Sequence, residues 1–459
     1  MTPWIRWTAE PAPAEPGWRW LAQSLGMPAL LATPARPRAE LALPASRLPD
    51  AARQKLAALL GERLRTDDEA RIAHAAKADA ASVLRLRGGD LSQAPDAVLC
   101  PHNEDEVLAL LQICAEAGIV LGTTNGTARA VCDTSGMTDI LSLDAVSGLA
   151  QVQAGIGSTE LARQLAARGM SFGPAEFSYL GHRIGRNPEG VLDVRLATPQ
   201  GLLSSSVLGS DFGILTAATL QIRALPAATL HLDYLFPDFA SGFAAMRGAQ
   251  RECVARISVR LSDGEETRFH RRLAAMTQTP TLMQRITDIV HGPGDGAAAL
   301  RITISGGAAD VETSRKRFAA LARKLGARTW DGVTPHDYRP LLLDRGVTVD
   351  KLRASATWSN LPVLYAALRT ALDQAMRLYA PRAGAHGLVL AQITDARHDG
   401  ATLTCTFLFP RLLNGDVAQA QAVRKAALDV LAAQKQPAEL RRAIGAVLDP
   451  AGILASDEP

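Results

Sequence analysis

No two of the five cysteines stand in a C-x-x-C arrangement. Cys100, Cys114, Cys132, Cys253 and Cys405 are odd in number and widely spaced. Neither a zinc-ligand pattern nor a disulfide framework is present, and a reducing cytoplasm is the expected compartment. No long apolar run occurs either. The most apolar stretch, 107–122, carries Glu116 and is too short to span a bilayer. The first residues carry Glu10 and repeated prolines where a signal peptide needs unbroken apolar sequence. A soluble protein is expected, cytoplasmic or resting on a membrane surface. Net charge is only +3, with Arg and Lys scattered, so nothing argues electrostatically for nucleic acid. The phosphate loop Gly-x-x-x-x-Gly-Lys-[Ser/Thr] and the nucleophile elbow Gly-x-Ser-x-Gly are both missing. The nine histidines suggest no rival catalytic apparatus.

What is present is the balance of a globular protein, 47% hydrophobic and 21% charged over 459 residues, long enough for two or three domains. Residues 1–50 are rich in Pro, Trp and Ala, without a period. They read as an irregular arm in which Trp4, Trp7, Trp18 and Trp20 pack against a domain or touch lipid. The spacing of Leu56, Leu59, Leu60 and Leu64 predicts a helix over 51–65. A regular α/β pattern follows. A strand at 95–99 leads to a helix capped by Asn103 and Glu106, with Val107, Leu110, Leu111 and Cys114 on one face and Gly118 as its stop. Strands are predicted at 119–121, 140–144, 149–154, 191–197 and 214–224. In the last of these, Leu220, Ile222 and Ala224 form the buried alternate set.

Beyond Pro226 the units lengthen. Strands at 230–236, 255–261, 300–305, 388–393 and 402–409 alternate with helices near 239–251, 265–276, 310–325, 361–379 and 419–434. An antiparallel sheet with helices on one face is the economical arrangement. The expected division is an arm and helix at 1–65, an α/β domain at 66–226, an α+β cap at 227–415, and a helical segment at 416–459 returning to the α/β domain.

The stretch Ala94-Pro95-Asp96-Ala97-Val98-Leu99-Cys100-Pro101, the helix from Asn103, Ser142-Leu143-Asp144 and Val152-Gln153-Ala154-Gly155 together resemble a PCMH-type FAD-binding domain. Leu43-Pro44-Ala45-Ser46-Arg47-Leu48, Arg71 with His74, Arg260-Leu261-Ser262-Asp263, Trp358-Ser359-Asn360-Leu361 and Leu448-Asp449-Pro450 narrow the resemblance to the alkylglycerone-phosphate synthase branch of the FAD-linked oxidases. The resemblance implies an α+β fold: two α/β subdomains around FAD, plus a cap with an antiparallel sheet. It also implies exchange of an acyl for an alkyl group on dihydroxyacetone phosphate.

Carried onto this chain, the family's pyrophosphate loop falls on Asn125-Gly126-Thr127-Ala128-Arg129, where one glycine remains. Arg129 is either a charge for a phosphate or a solvated loop arginine. The second flavin segment falls on Ser178-Tyr179-Leu180-Gly181-His182, and the third on Gly209-Ser210-Asp211-Phe212-Gly213; both are shortened. His182 has no visible partner. These loops argue against tight FAD binding. On the substrate side, the family's acid–base tyrosine aligns with Thr404 and its histidine-bearing strand with Gln392-Ile393-Thr394-Asp395. An arginine aligns with Leu343, and the triple-histidine run has no counterpart. Arg260 alone matches a substrate-side arginine. The expectation is a noncatalytic relative that binds a lipid-like or phosphate-bearing small molecule, or pairs with an active homologue or a second copy of itself. The alternative is a working FAD oxidoreductase or alkyl transferase with an altered site.

Overall fold

The structure is a computed structural model that describes residues 15–77, 79–123, 128–173, 190–206, 212–277, 296–330, 339–432 and 438–454. Within the arm expected to be irregular, the first described residues form a helix, α1 (Glu15–Ser24). Its Trp18 is only 4% exposed and lies under the Arg345 guanidinium at 5.1 Å, so packing fixes this part of the arm. Trp4 and Trp7 lie outside the described residues. Helix α2 (Asp50–Leu60) is shorter than its leucine spacing suggested, because the chain turns at Gly61 (φ 57°) into strand β1 (Leu64–Arg65).

After α3 (Asp68–Ala73) and α4 (Ala80–Gly88), strand β2 (Ala97–Leu99) enters a small sheet. Helix α5 (Glu104–Ala117) starts where Asn103 accepts the Glu106 amide at 2.9 Å and stops at Gly118 (φ 61°). Its buried face of Val107, Leu110, Leu111 and Cys114 packs with Leu56 and Leu60 of α2. Strands β3 (Leu121–Gly122) and β4 (Ala130–Cys132) complete the order β1-β2-β4-β3, with β2, β4 and β3 parallel.

A second, antiparallel sheet holds β5 (Ile140–Asp144) and β6 (Leu149–Gln153), joined through Gly148 (φ 67°). Helix α6 (Ser158–Ala166) and β7 (Met170–Ser171) come next, then β8 (Val191–Thr198), β9 (Gly201–Ser205) and β10 (Ile214–Gln221). The order is β5-β6-β10-β8-β9. Leu220 and Ile222 are buried as expected, but Ala224 is exposed. It has left the sheet for β11 (Arg223–Ala224), which pairs with β7.

The cap is one seven-stranded antiparallel sheet. Along the chain come β12 (Ala228–Phe236), α7 (Phe239–Glu252), β13 (Arg256–Ser262), α8 (Gly264–Thr277), β14 (Ala298–Gly306), α9 (Ala308–Lys324) and β15 (Arg328–Thr329). Then follow α10 (Arg339–Asp344), β16 (Val347–Thr357), α11 (Leu361–Leu378), β17 (Leu388–Thr394), β18 (Gly400–Pro410) and α12 (Asp416–Ala432). The strand order is β15-β12-β14-β13-β17-β18-β16.

Residues directly opposite in an antiparallel ladder share a face. Tyr234, Leu300, Leu261, Ile393, Leu403 and Ala354 therefore lie in one row, and they join the core beneath α7, α9, α11 and α12. Helix α13 (Ala438–Leu448) precedes a tail that returns to the first sheet, where the Leu121 amide donates to Ile453 O at 2.7 Å. Among the described residues no helix is long and apolar enough to cross a membrane.

Candidate functional site

The opposite face of the cap sheet changes character along its length. At one end Val347, Val349, Leu388, Leu390 and Leu408 pack under Trp18 and Leu21 of α1 and Phe269 of α8. One step further along β16, β17 and β18 the same face turns polar. The register sets Ser262, Gln392, Thr404 and Arg353 side by side across four strands. The adjacent edge carries Arg260, Arg301 and Asp233 in register. Thr404 is 2% exposed, whereas Arg353 at the end of the row reaches solvent with 48% of its side chain exposed.

Three of the cations are tied to carboxylates. Arg301 makes a forked pair with Asp233 at 2.8 and 3.0 Å, Arg260 donates to Glu266 at 3.1 Å, and Arg353 donates to Asp395 at 3.0 Å. Burial opposes the charge on Glu266, but His270 at 3.4 Å and Arg260 outweigh it and hold the carboxyl below its usual range. Lys351 sits where the apolar and polar ends meet, opposite Thr406. Lys351 itself is exposed to solvent. A cavity of about 50 Å³ opens among Asp233, Arg260, Ser262, Thr267, His270 and Arg301. A larger cleft of about 690 Å³ lies between α1, α11 and the start of β17. Its arginines already pair locally, Arg369 with Asp263 and Glu265 and Arg377 with Asp373, and it contains none of the positions singled out for chemistry.

In the small first sheet, the connection 123–129 joins the two parallel strands β3 and β4, the location expected of the pyrophosphate loop. Asn125, Gly126, Thr127, Gly181, His182, Gly209 and Ser210 lie outside the described residues. Ala128 is buried. Arg129 turns its guanidinium onto Asp96 at 2.9 and 3.0 Å and onto the Arg47 carbonyl at 2.6 Å. After β6 the backbone packs closely on the turn that follows β4: a Cβ on Gly155 would lie 1.9 Å from the Thr134 carbonyl oxygen. Glu104, at the start of α5, accepts from Thr216 at 3.1 Å and pairs with Arg195, which locks the two small sheets together. A connection between two parallel strands is the position at which a dinucleotide-binding loop is expected. No metal-binding group of His, Cys, Asp and Glu occurs among the described residues.

A family model for the FAD binding domain matches residues 95–181, and one for the C-terminal domain of FAD linked oxidases matches residues 225–431. The chain belongs to the FAD-linked oxidase superfamily, in its alkyldihydroxyacetonephosphate synthase-like branch. It is 24% identical to alkyldihydroxyacetonephosphate synthase of Dictyostelium discoideum over 84% of this chain and 73% of the relative. To that of Trypanosoma brucei brucei it is 27% identical over 45% of this chain and 42% of the relative. In three dimensions it resembles a solved alkyldihydroxyacetonephosphate synthase with a TM-score of 0.76 at 22% identity, covering 97% of this chain and 92% of that one. The likeness to p-cresol methylhydroxylase has a TM-score of 0.64 at 14% identity, covering 90% and 98%. The FAD-domain match runs through the 125–129 loop and reaches Gly181, so it supports FAD binding, against the expectation drawn from the shortened loops.

Proposed function

We propose that the chain binds FAD through residues 66–226 and holds a phosphate-bearing, lipid-like small molecule against the polar cap face of residues 227–415. On this reading it does not perform alkyl transfer. Of the 416–459 segment, α12 packs on the cap core and the tail at Ile453 meets the first sheet. The row Ser262, Gln392, Thr404 and Arg353 carries this reading. Where the family resemblance puts a phenol, the sheet presents the Thr404 hydroxyl, and the strand expected to bear an imidazole runs Gln392-Ile393-Thr394-Asp395 without one; no side chain of the row exchanges a proton near neutral pH. Arg260, the one match to a substrate-side arginine, and Arg353 would offer guanidinium groups to a phosphate in competition with Glu266 and Asp395. The 123–129 connection, which lies within the FAD binding domain match, would hold the cofactor, which when bound supplies a redox-active ring system. Such a protein serves as a ligand-binding, noncatalytic partner of an active FAD-linked oxidase.

Calorimetric titration with dihydroxyacetone phosphate is expected to show saturable binding. Combining Arg260→Ala with Arg353→Ala is expected to weaken it by tenfold or more, since charge-assisted hydrogen bonds contribute about 1.5–3 kcal/mol each. With FAD, acyl-dihydroxyacetone phosphate and a fatty alcohol supplied together, no alkyl product is expected. Sustained turnover to the alkyl ether would refute the noncatalytic reading.

A further inference from the structure

The cleft of about 690 Å³ between α1, α11 and the start of β17 takes no part in the cap-face chemistry. Its charges cancel. Arg369 holds both Asp263 and Glu265 at 2.7 Å, Arg377 holds Asp373 at 2.9 Å, and Arg268 lies 3.8 Å from Glu265. Three guanidinium groups thus meet three carboxylates, and no surplus charge is left on them to recruit an ion. The lining histidine, His386, has Nδ1 3.2 Å from the Gly384 carbonyl oxygen. What remains is uncharged hydrogen-bonding capacity. The side chains of Ser24, Thr370 and Gln374 line the cleft and engage no hydrogen-bond partner among the described residues, nor does Asp373 Oδ1. Hydroxyl and carboxamide groups both donate and accept, which is what the hydroxyls of a polyol require. Trp20, half-buried and braced against Phe269 at 6.4 Å, adds a flat apolar ring to the wall. The C–H face of a sugar ring packs on such a surface.

We infer that this cleft binds a neutral pyranose sugar, its ring against Trp20 and its hydroxyls among Ser24, Thr370, Asp373 and Gln374. The volume lies within the range that takes a drug-sized ligand, so two linked rings have room. The arginine–carboxylate pairs stay intact as walls, since a polyol needs no ion pair opened to admit it. Binding is noncovalent. A free sugar and the headgroup of a glycolipid present the same ring. The sugar site and the cap-face ligand are independent of one another.

The test is calorimetric titration of the full chain with maltose and, below its micelle concentration, with dodecyl maltoside. Both are expected to bind saturably, with affinities that hold between low and high salt. Equal affinities would point to a free sugar and tighter binding of the dodecyl compound to a glycolipid; either agrees with a pyranose site. Combining Thr370→Ala with Gln374→Ala is expected to weaken both ligands by roughly tenfold or more. These two positions are exposed on α11, so the melting temperature of the double variant should match the parent's. Trp20→Ala should lose binding as well. No saturable binding of either compound would overturn the inference. So would binding that the double variant leaves untouched, or binding that high salt or citrate abolishes, the mark of an ionic site.

Discussion

Gly155→Val is expected to destabilise the amino-terminal half by about 3 kcal/mol or more, at the upper end of overpacking effects. The new Cβ would lie 1.9 Å from Thr134 O and 2.8 Å from Met137 O. Both are backbone atoms, so neither can swing aside as a side-chain tip would. The turn that carries them is pinned at both ends: Asp133 accepts the Ser135 amide at 2.9 Å and Thr134 O accepts the Met137 amide at 2.9 Å. The glycine strand is equally fixed, with the Ala154 amide on Thr216 O at 2.9 Å. One side must therefore break its hydrogen bonds. Chemical denaturation followed by far-UV circular dichroism reads the loss, and FAD affinity should fall with it. A variant that melts and binds FAD like the parent would contradict the close approach.

Arg424→Met is expected to cost about 3–5 kcal/mol near neutral pH, the usual penalty for stripping the partner from a buried charge. Asp350 is 1% exposed. Its Oδ1 accepts Arg424 Nη1 at 2.9 Å and the Lys351 amide at 2.7 Å, while Oδ2 has no partner among the described residues. Even with Arg424 present, burial pushes the Asp350 carboxyl up to about 6. Its folded value thus lies above its unfolded value of about 3.9. The folded state binds this proton more tightly, so the associated stability is present in acid and is lost as pH rises from about 4 through about 6. Removing Arg424 raises the folded value further. The variant's deficit should therefore be largest at pH 8 and shrink at pH 5, and urea denaturation at those two pH values measures it. A pH-independent deficit would show that lost packing, not the buried charge, is responsible.

The helices and most strands were legible because their signals are local. The Asn103 cap, the Val107–Cys114 stripe and the Gly118 stop lie within one element. Strand β16 carried its own signal, the alternation of Lys351, Arg353, Ser355 and Thr357, yet it went unassigned because it fills only one face of a sheet otherwise read from apolar residues. The cap site was legible only in pieces. Thr404 and Gln392 are 12 residues apart in sequence, and nothing in either segment says that they are cross-strand partners, or that Arg353 completes the row. Register is settled by core packing, which is nonlocal. Arg129 shows the same limit from the other side: its partner Asp96 lies 33 residues earlier, so a loop arginine aimed into the protein reads the same as one aimed at a ligand.

The full chain, loaded with FAD and freed of excess cofactor, should show bound-flavin absorbance that shifts when dihydroxyacetone phosphate is titrated in. The shift should saturate in the parent and disappear when Arg260 and Arg353 are both alanine. A colourless protein that takes up no FAD, or flavin bands that dihydroxyacetone phosphate leaves unmoved, would contradict a flavin and a phosphate-bearing ligand sharing this frame.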